Sequence, residues 1–226
     1  MSIIEISCLL LKKRSTLTNK DFLNYREFFS TKEARSWADK HYSSLLHGAD
    51  YSDLRKILYQ YTGTLNKLIN AELRRFSLGK AFCIEAVPFE YPDLKEKVCL
   101  IQNALLSYSL PEDIVVYRYT RRKAVKANCG GHVHSGAVIS DPAFQSTSLV
   151  RSCMKSFAKE YEMDCLLKLY LPKGFPGAYI SEYREEDRLD ENEYLLPAGT
   201  RLKIIKKHIL SCPLMIECEP VLVKRT

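Results

Sequence analysis

At Pro111 the spacing of the apolar residues changes period, and this change restricts the fold more than any other feature of the chain. Upstream, they recur at three- and four-residue intervals, as one buried face of an α-helix requires. Ala34, Trp37, Ala38, His41 and Leu45 form one such set, and Leu54, Ile57, Leu58 and Tyr61 a second. Leu65, Leu68, Ile69, Leu73 and Phe76 form a third, and Val98, Ile101 and Leu105 a fourth within Leu94 to Tyr108. Ser30-Thr31-Lys32-Glu33 opens the first with a capping-box pattern. Gly48, Gly63 and Gly79 are the expected stops.

Downstream of Pro111 the residues favour strands. Ile114 to Tyr119 is β-branched and aromatic, and Ala143 to Ser148, Leu166 to Leu171 and Ala178 to Ile180 follow. Glu193 to Leu196, Arg201 to Lys206 and Leu214 to Val223 complete the run, with a short helix expected near Ser152 to Tyr161. Gly174, Gly177 and Pro197-Ala198-Gly199 mark turns. Helices followed by strands imply an α+β fold with an antiparallel-rich sheet system. The expected organisation is one domain over residues 1–226, helical to about residue 110 and β-rich from about 111.

Composition narrows the class. With 226 residues, 46% of them apolar, one sizeable core is expected. No apolar run approaches the roughly 20 residues of a membrane helix, so membrane insertion is not expected. Ile3, Ile4 and Leu9 to Leu11 precede Lys12, Lys13 and Arg14, the reverse of a secretory signal. Cysteines 8, 83, 99, 129, 153, 165, 212 and 218 have no regular spacing. They are expected to be mostly free, buried thiols of a reducing compartment. The net charge of +7 could draw nucleic acid, anionic lipid or a polyanionic substrate. No basic–aromatic motif accompanies it, so nucleic acid is not an expected partner.

Three motifs stand in order in the strand-rich half: Val116-Tyr117-Arg118, Phe144-Gln145-Ser146-Thr147-Ser148, and Glu191-Asn192-Glu193-Tyr194-Leu195-Leu196-Pro197. This Arg / Ser-Thr-Ser / Glu-x-Glu order resembles the bacterial mono-ADP-ribosyltransferase exoenzymes, which include actin-modifying binary toxins and Rho-modifying enzymes. Trp37, Tyr42, Tyr61-Thr62-Gly63 and Ile69-Asn70-Ala71-Glu72-Leu73-Arg74 are similar to that family's helical lobe. Gly177-Ala178-Tyr179-Ile180 is similar to its strand before the target loop, so the likeness covers roughly residues 20–223. The resemblance implies two antiparallel-rich sheets with a helical lobe, enclosing a cleft for NAD+ as co-substrate.

It also implies roles. Arg118 would bind the pyrophosphate, since a guanidinium fork pairs with phosphate oxygens. Arg74 would be a second phosphate or ribose contact, with Asn70 beside it in the same cofactor-binding motif. Glu193 would be the catalytic glutamate, stabilising the cationic ribose that develops as nicotinamide leaves. Ser146 would hold that carboxylate, and Thr147 and Ser148 would support the strand and the nicotinamide pocket. Glu191, two residues earlier, would share a face with Glu193 in an extended segment. It could orient an incoming arginine and take its proton. Family members with Glu at this first position favour arginine targets.

Tyr183 would be the target-recognition aromatic, in a loop from Ser181 to Asp190 that is more charged than the family pattern. The implied product is an arginine-modified host protein, actin or another, made by a translocated monomeric effector in a host cytosol. A NAD+ glycohydrolase and a non-catalytic NAD-binding module on the same fold are the alternatives. Cys129-Gly130-Gly131-His132-Val133-His134 invites a metal reading, but no second Cys/His pair stands out. A glycine-bearing loop is the preferred account, and no metal is expected.

Overall fold

The structure is a computed structural model that describes residues 21–47, 52–76, 92–182 and 190–222. Helix α1 (Thr31–His47) starts as its capping box predicts. Ser30 Oγ accepts the Glu33 N–H at 3.2 Å, and the Glu33 carboxylate accepts the Phe29 N–H at 3.4 Å. Its Ala34, Trp37, Ala38, Tyr42 and Leu45 are buried. Helix α2 (Ser52–Gln60) does not stop at Gly63. Tyr61–Leu65 instead forms a π-helical turn that runs straight into α3 (Asn66–Phe76). A glycine inside a helix costs only about 1 kcal/mol, and here the buried Tyr61 and Thr62 hold the turn in place. The wider turn resets the helical face: Ile69 and Leu73 are buried while Leu68 is exposed. Helix α4 (Pro92–Ser107) buries Leu94, Val98, Ile101 and Leu105.

The second half supplies β1 (Ile114–Thr120), β2 (Val138–Ser140), β3 (Gln145–Ser148), β4 (Cys165–Leu171), β5 (Ala178–Tyr179), β6 (Glu193–Leu196), β7 (Arg201–His208) and β8 (Leu214–Pro220). They form an eight-stranded sheet in the order β2-β7-β8-β4-β1-β3-β6-β5. Only β4 and β8 pair in parallel. The fold is α+β, as its sequence pattern indicates. It differs in one detail from the expectation of two sheets. Strand β1 pairs with β4 along its whole length, from Ile114↔Leu171 to Thr120↔Cys165, but meets β3 only at Tyr117↔Ser148. That one pair joins two strand groups into a single order.

Two elements lie where a loop was expected: α5 (Arg122–Asn128) and β2. Within α5 only Val125 is buried, and β2 is too short to show a period, so neither announces itself in the sequence. A last short helix is α6 (Lys155–Glu160). The described cysteines are free, but only Cys165 and Cys218 are buried. Cys99, Cys129 and Cys153 are half-buried and Cys212 is exposed, against the expectation of mostly buried thiols. The buried two sit in adjacent strands that carry core residues, whereas Cys212 precedes a turn proline outside β7 and β8. Cys8 and Cys83 lie outside the described residues. Among the described residues, no helix is long and apolar enough to cross a membrane.

Candidate active site

Strands β3 and β6 run antiparallel with Gln145↔Leu196, Ser146↔Leu195, Thr147↔Tyr194 and Ser148↔Glu193 in register. Side chains alternate across a strand, and directly opposed residues share a face. Ser148 is therefore the direct cross-strand neighbour of Glu193. Ser146 is the diagonal neighbour on the same face, and Thr147 points to the other. Thr147 Oγ1 donates to the Tyr194 carbonyl at 2.5 Å inside the sheet, so its hydroxyl serves the strand pair. On that other face Tyr42 and Tyr194 share a hydrogen bond at 3.1 Å, which ties α1 to β6. Beyond β6, Gly177 (φ +149°) admits no side chain, because a Cβ there would lie 2.7 Å from the Tyr194 ring.

The expectation that Glu191 and Glu193 share an extended segment is not met. Strand β6 begins at Glu193, and Asn192 before it is left-handed, with φ 48°. The alternation rule therefore does not carry across Asn192. Its side chain is buried and donates to Thr31 Oγ1 at 3.1 Å and to Cys153 Sγ at 3.2 Å. Ser148 Oγ lies 2.5 Å from the Glu191 carbonyl oxygen, to which it donates. Asp190 accepts the Asn192 N–H at 3.0 Å and pairs with Arg35 of α1 at 2.6 Å. The Glu-x-Glu segment is thus clamped between β3 and α1. Both glutamates make further polar or electrostatic contacts.

The helices form the opposite wall. Asn70 and Arg74 stand four apart on α3, hence on one face. Asn70 accepts the Phe144 N–H at 3.1 Å and donates to the Tyr61 hydroxyl at 3.3 Å. Arg74 makes a two-pronged bond to Asp141, Nε to Oδ1 and Nη2 to Oδ2, both at 3.0 Å. Arg118, on β1, donates to the Ser146 carbonyl at 2.6 Å. That uses one of the five N–H donors of a guanidinium.

These groups feel one another. Burial lowers the Arg118 pKa and Arg74 adds to the effect, while Asp141, Tyr61 and Glu193 oppose it. For Asp141, burial acts to raise the pKa. It is outweighed by the Arg74 fork, the Arg118 charge and the Ala143 N–H, which hold the carboxyl below its ordinary value. The Tyr61 hydroxyl is pushed up by burial and then by Glu193, with Arg118 and Arg74 opposing. Arg118, Arg74, Asp141, Tyr61 and Glu193 therefore belong to one electrostatic neighbourhood: two guanidinium groups beside a buried carboxylate. Such a set suits a ligand that carries phosphates and develops positive charge at a sugar.

Asp141, Tyr61 and Asn192 are additions to the site residues expected from the sequence. Asp141 precedes Pro142 and accepts the Ala143 N–H at 3.1 Å, a turn signal legible in the dipeptide. Tyr61 was indistinguishable from a core aromatic; it lies in the π-helical turn, accepts from Asn70 at 3.3 Å and feels the Glu193 charge. Tyr183 lies outside the described residues. His132 and His134 are exposed, Cys129 is half-buried against the core, and no group of three or more possible metal ligands occurs among the described residues.

Known proteins share this fold. Plx2a, an ADP-ribosyltransferase toxin from Paenibacillus larvae, superposes with a TM-score of 0.66 at 23% identity, covering 87% of this chain and 99% of its own. C3stau2 from S. aureus, crystallised with NAD, gives 0.67 at 18%, covering 87% and 98%. BECa, the ADP-ribosylating toxin of a C. perfringens binary enterotoxin crystallised with NADH, gives 0.68 at 22%. This chain covers 87% of itself against 50% of BECa, and so spans about half of that protein. No curated protein matches the sequence. A sequence model of the ADP-ribosyltransferase exoenzymes matches residues 34–213. The chain belongs to the ADP-ribosyltransferase exoenzyme family, enzymes that use NAD+ as co-substrate.

Proposed function

We propose that the protein is a mono-ADP-ribosyltransferase that cleaves the nicotinamide–ribose bond of NAD+ and transfers ADP-ribose to an arginine of a target protein. The observation that carries this reading is the clamped Glu191-Asn192-Glu193 segment, whose Glu193 is buried beside Arg118 and Tyr61. One domain suffices for the reaction. Arg118 and Arg74 would hold the pyrophosphate and Asn70 would fix the wall behind it. Glu193 would stabilise the positive charge that grows on the ribose as the bonding pair leaves with nicotinamide. Ser146 would hold that carboxylate from the same sheet face, and Ser148 would support it through the Glu191 backbone. An arginine Nη atom of the target would form the new bond at the ribose carbon, and Glu191 would accept its proton.

Tyr183 is proposed as a target contact. The partner is proposed to be a host protein, with actin the leading analogue among the binary-toxin relatives. The protein would act as a monomeric effector translocated into the host cytosol.

Transfer of a tagged NAD+ onto a cell lysate tests this, with wild type beside Glu191→Gln. The variant should lose protein labelling by about two orders of magnitude while still releasing nicotinamide, and the wild-type linkage should be sensitive to hydroxylamine. Labelling unchanged in Glu191→Gln, or a linkage resistant to hydroxylamine, would overturn the arginine assignment.

A further inference from the structure

The tip of the β7–β8 hairpin carries an exposed apolar pair. Ile209 and Leu210 are 73% and 97% exposed, next to each other at the turn. A single exposed leucine is ordinary, but two adjacent branched residues at the apex of a ribbon cannot be buried by the domain that carries them. Lys206 and Lys207 precede them on β7 and are both exposed. They stand on opposite faces of the ribbon, so basic side chains flank the apex on both sides. Leu214 N–H donates to the Asp164 carbonyl at 3.1 Å, which places the turn end of the hairpin beside the loop before β4. Asp164 in turn accepts from the Arg122 N–H at 2.8 Å, which brings in the exposed Arg121, Arg122 and Lys123 at the start of α5. Arg121 donates to the Tyr161 carbonyl at 3.2 Å, and the Tyr161 ring is 45% exposed on the same edge. Glu160, Glu162 and Asp164 are the exposed acidic groups there, fewer than the basic ones, which include Lys159. The whole chain carries +7.

An apolar apex, flanking lysine and arginine and one half-exposed tyrosine complement an anionic membrane surface. We propose that this edge docks peripherally on an anionic lipid bilayer. Ile209 and Leu210 dip among the headgroups, and Lys206, Lys207 and the α5 basic residues meet lipid phosphates. A two-residue apex needs neither a long apolar run nor a spanning helix. The proposal rests on this edge alone and is independent of the NAD+ reading. For an enzyme that modifies proteins, it would confine the search for targets to a membrane surface.

Flotation of the full chain with vesicles tests it, comparing phosphatidylserine–phosphatidylcholine with phosphatidylcholine alone. Wild type should float with the anionic vesicles only, and less as salt rises. The doubly substituted Ile209→Ser, Leu210→Ser protein should partition about tenfold or more weakly. Lys206→Glu with Lys207→Glu should lose binding to a similar degree. All these positions are exposed, so thermal unfolding and NAD+ cleavage should be unchanged. Absence of wild-type flotation, or equal flotation of the Ile209/Leu210 variant, overturns the proposal. So does a variant that floats normally but no longer labels a soluble target, since the apex would then be a protein contact.

Discussion

The two walls of the cleft are built by different physics. On the sheet side, Ser146, Ser148 and Glu193 are placed by the β3–β6 ladder, and Ser148 and Glu193 are buried. On the helix side, Arg74 reaches the cleft from α3 with 48% of its side chain exposed, held by one carboxylate. A strand register cannot slip by one residue without turning every side chain over. A half-exposed arginine can swing at little cost. The sheet wall is therefore fixed in advance, as a group that meets a transition state must be. The helix wall is adjustable, as a group that captures a phosphate can afford to be. Losses at Ser146, Ser148 or Glu193 should fall on kcat, and losses at the phosphate-facing arginines, Arg74 on α3 and Arg118 on β1, mainly on KM.

The sharpest test of that contrast is Glu193→Gln. It removes the charge, keeps the shape, and should lower kcat for nicotinamide release by about three orders of magnitude with little change in KM for NAD+. Single-turnover nicotinamide release measures it. A comparable rise in KM with kcat preserved would show that the sheet wall binds rather than catalyses. Arg118→Lys is the next effect in size. Lysine keeps the charge but lacks the planar fork, and the Ser146 carbonyl loses its 2.6 Å donor geometry. KM for NAD+ should rise about tenfold, and kcat should fall by a smaller factor because the β3 strand is tied through that carbonyl.

The sequence carried much of the sheet wall and less of the helix wall. Arg118, Ser146, Ser148 and Glu193 could be named because their short strand motifs resemble those of the exoenzyme family. The ladder then brings residues 118, 146 and 193 together whatever lies between them. The π-helical turn at Tyr61–Leu65 could not be read, since Gly63 looks like a stop and nothing local distinguishes an ended helix from a widened one. With the turn unseen, Tyr61 could not be joined to Asn70 and Phe144, nor Leu68 be placed at solvent. Asp141 was missed for another reason. Its role comes from Arg74, 67 residues earlier, and a pair so distant leaves no period in the chain. Asn192 was passed over because the alternation rule assumed an extended backbone at a position that is left-handed.

Asn192 offers a test between the two larger effects and the smallest. Asparagine tolerates the left-handed region better than other residues with a Cβ, and its amide joins Thr31 and Cys153. Asn192→Gly keeps the backbone and loses the amide, whereas Asn192→Val strains the backbone as well. The valine variant should be less stable by about 1–3 kcal/mol, and the glycine variant by less. Chemical denaturation measures both. If the clamp positions the glutamates, the glycine variant should also lose protein labelling more than NAD+ cleavage, because Glu191 hangs on the clamp from outside β6. Equal losses would mean that Asn192 matters for folding alone.

The smallest effect belongs to the helix wall and has a defined pH signature. Asp141 is held below its ordinary carboxylate value by Arg74 and Arg118 despite its burial. A carboxyl with a lowered folded pKa adds stability that is complete above its unfolded value, near 4 on the ordinary scale. That stability disappears as pH falls through the lower folded value. Asp141→Asn removes this contribution at neutral pH and changes nothing once wild-type Asp141 is protonated. With Arg74 half exposed, the neutral-pH loss should be about 1 kcal/mol, and the difference between the two proteins should shrink steadily below about pH 4. Thermal unfolding across that range reads it directly. A gap that stays constant into acid would mean that Asp141 acts through its hydrogen bond to the Ala143 N–H, which an asparagine oxygen can also accept only if it faces that way. The arginine on the helix wall would then be free to turn toward a phosphate with no electrostatic cost at Asp141, and the two walls would differ even more than their geometry implies.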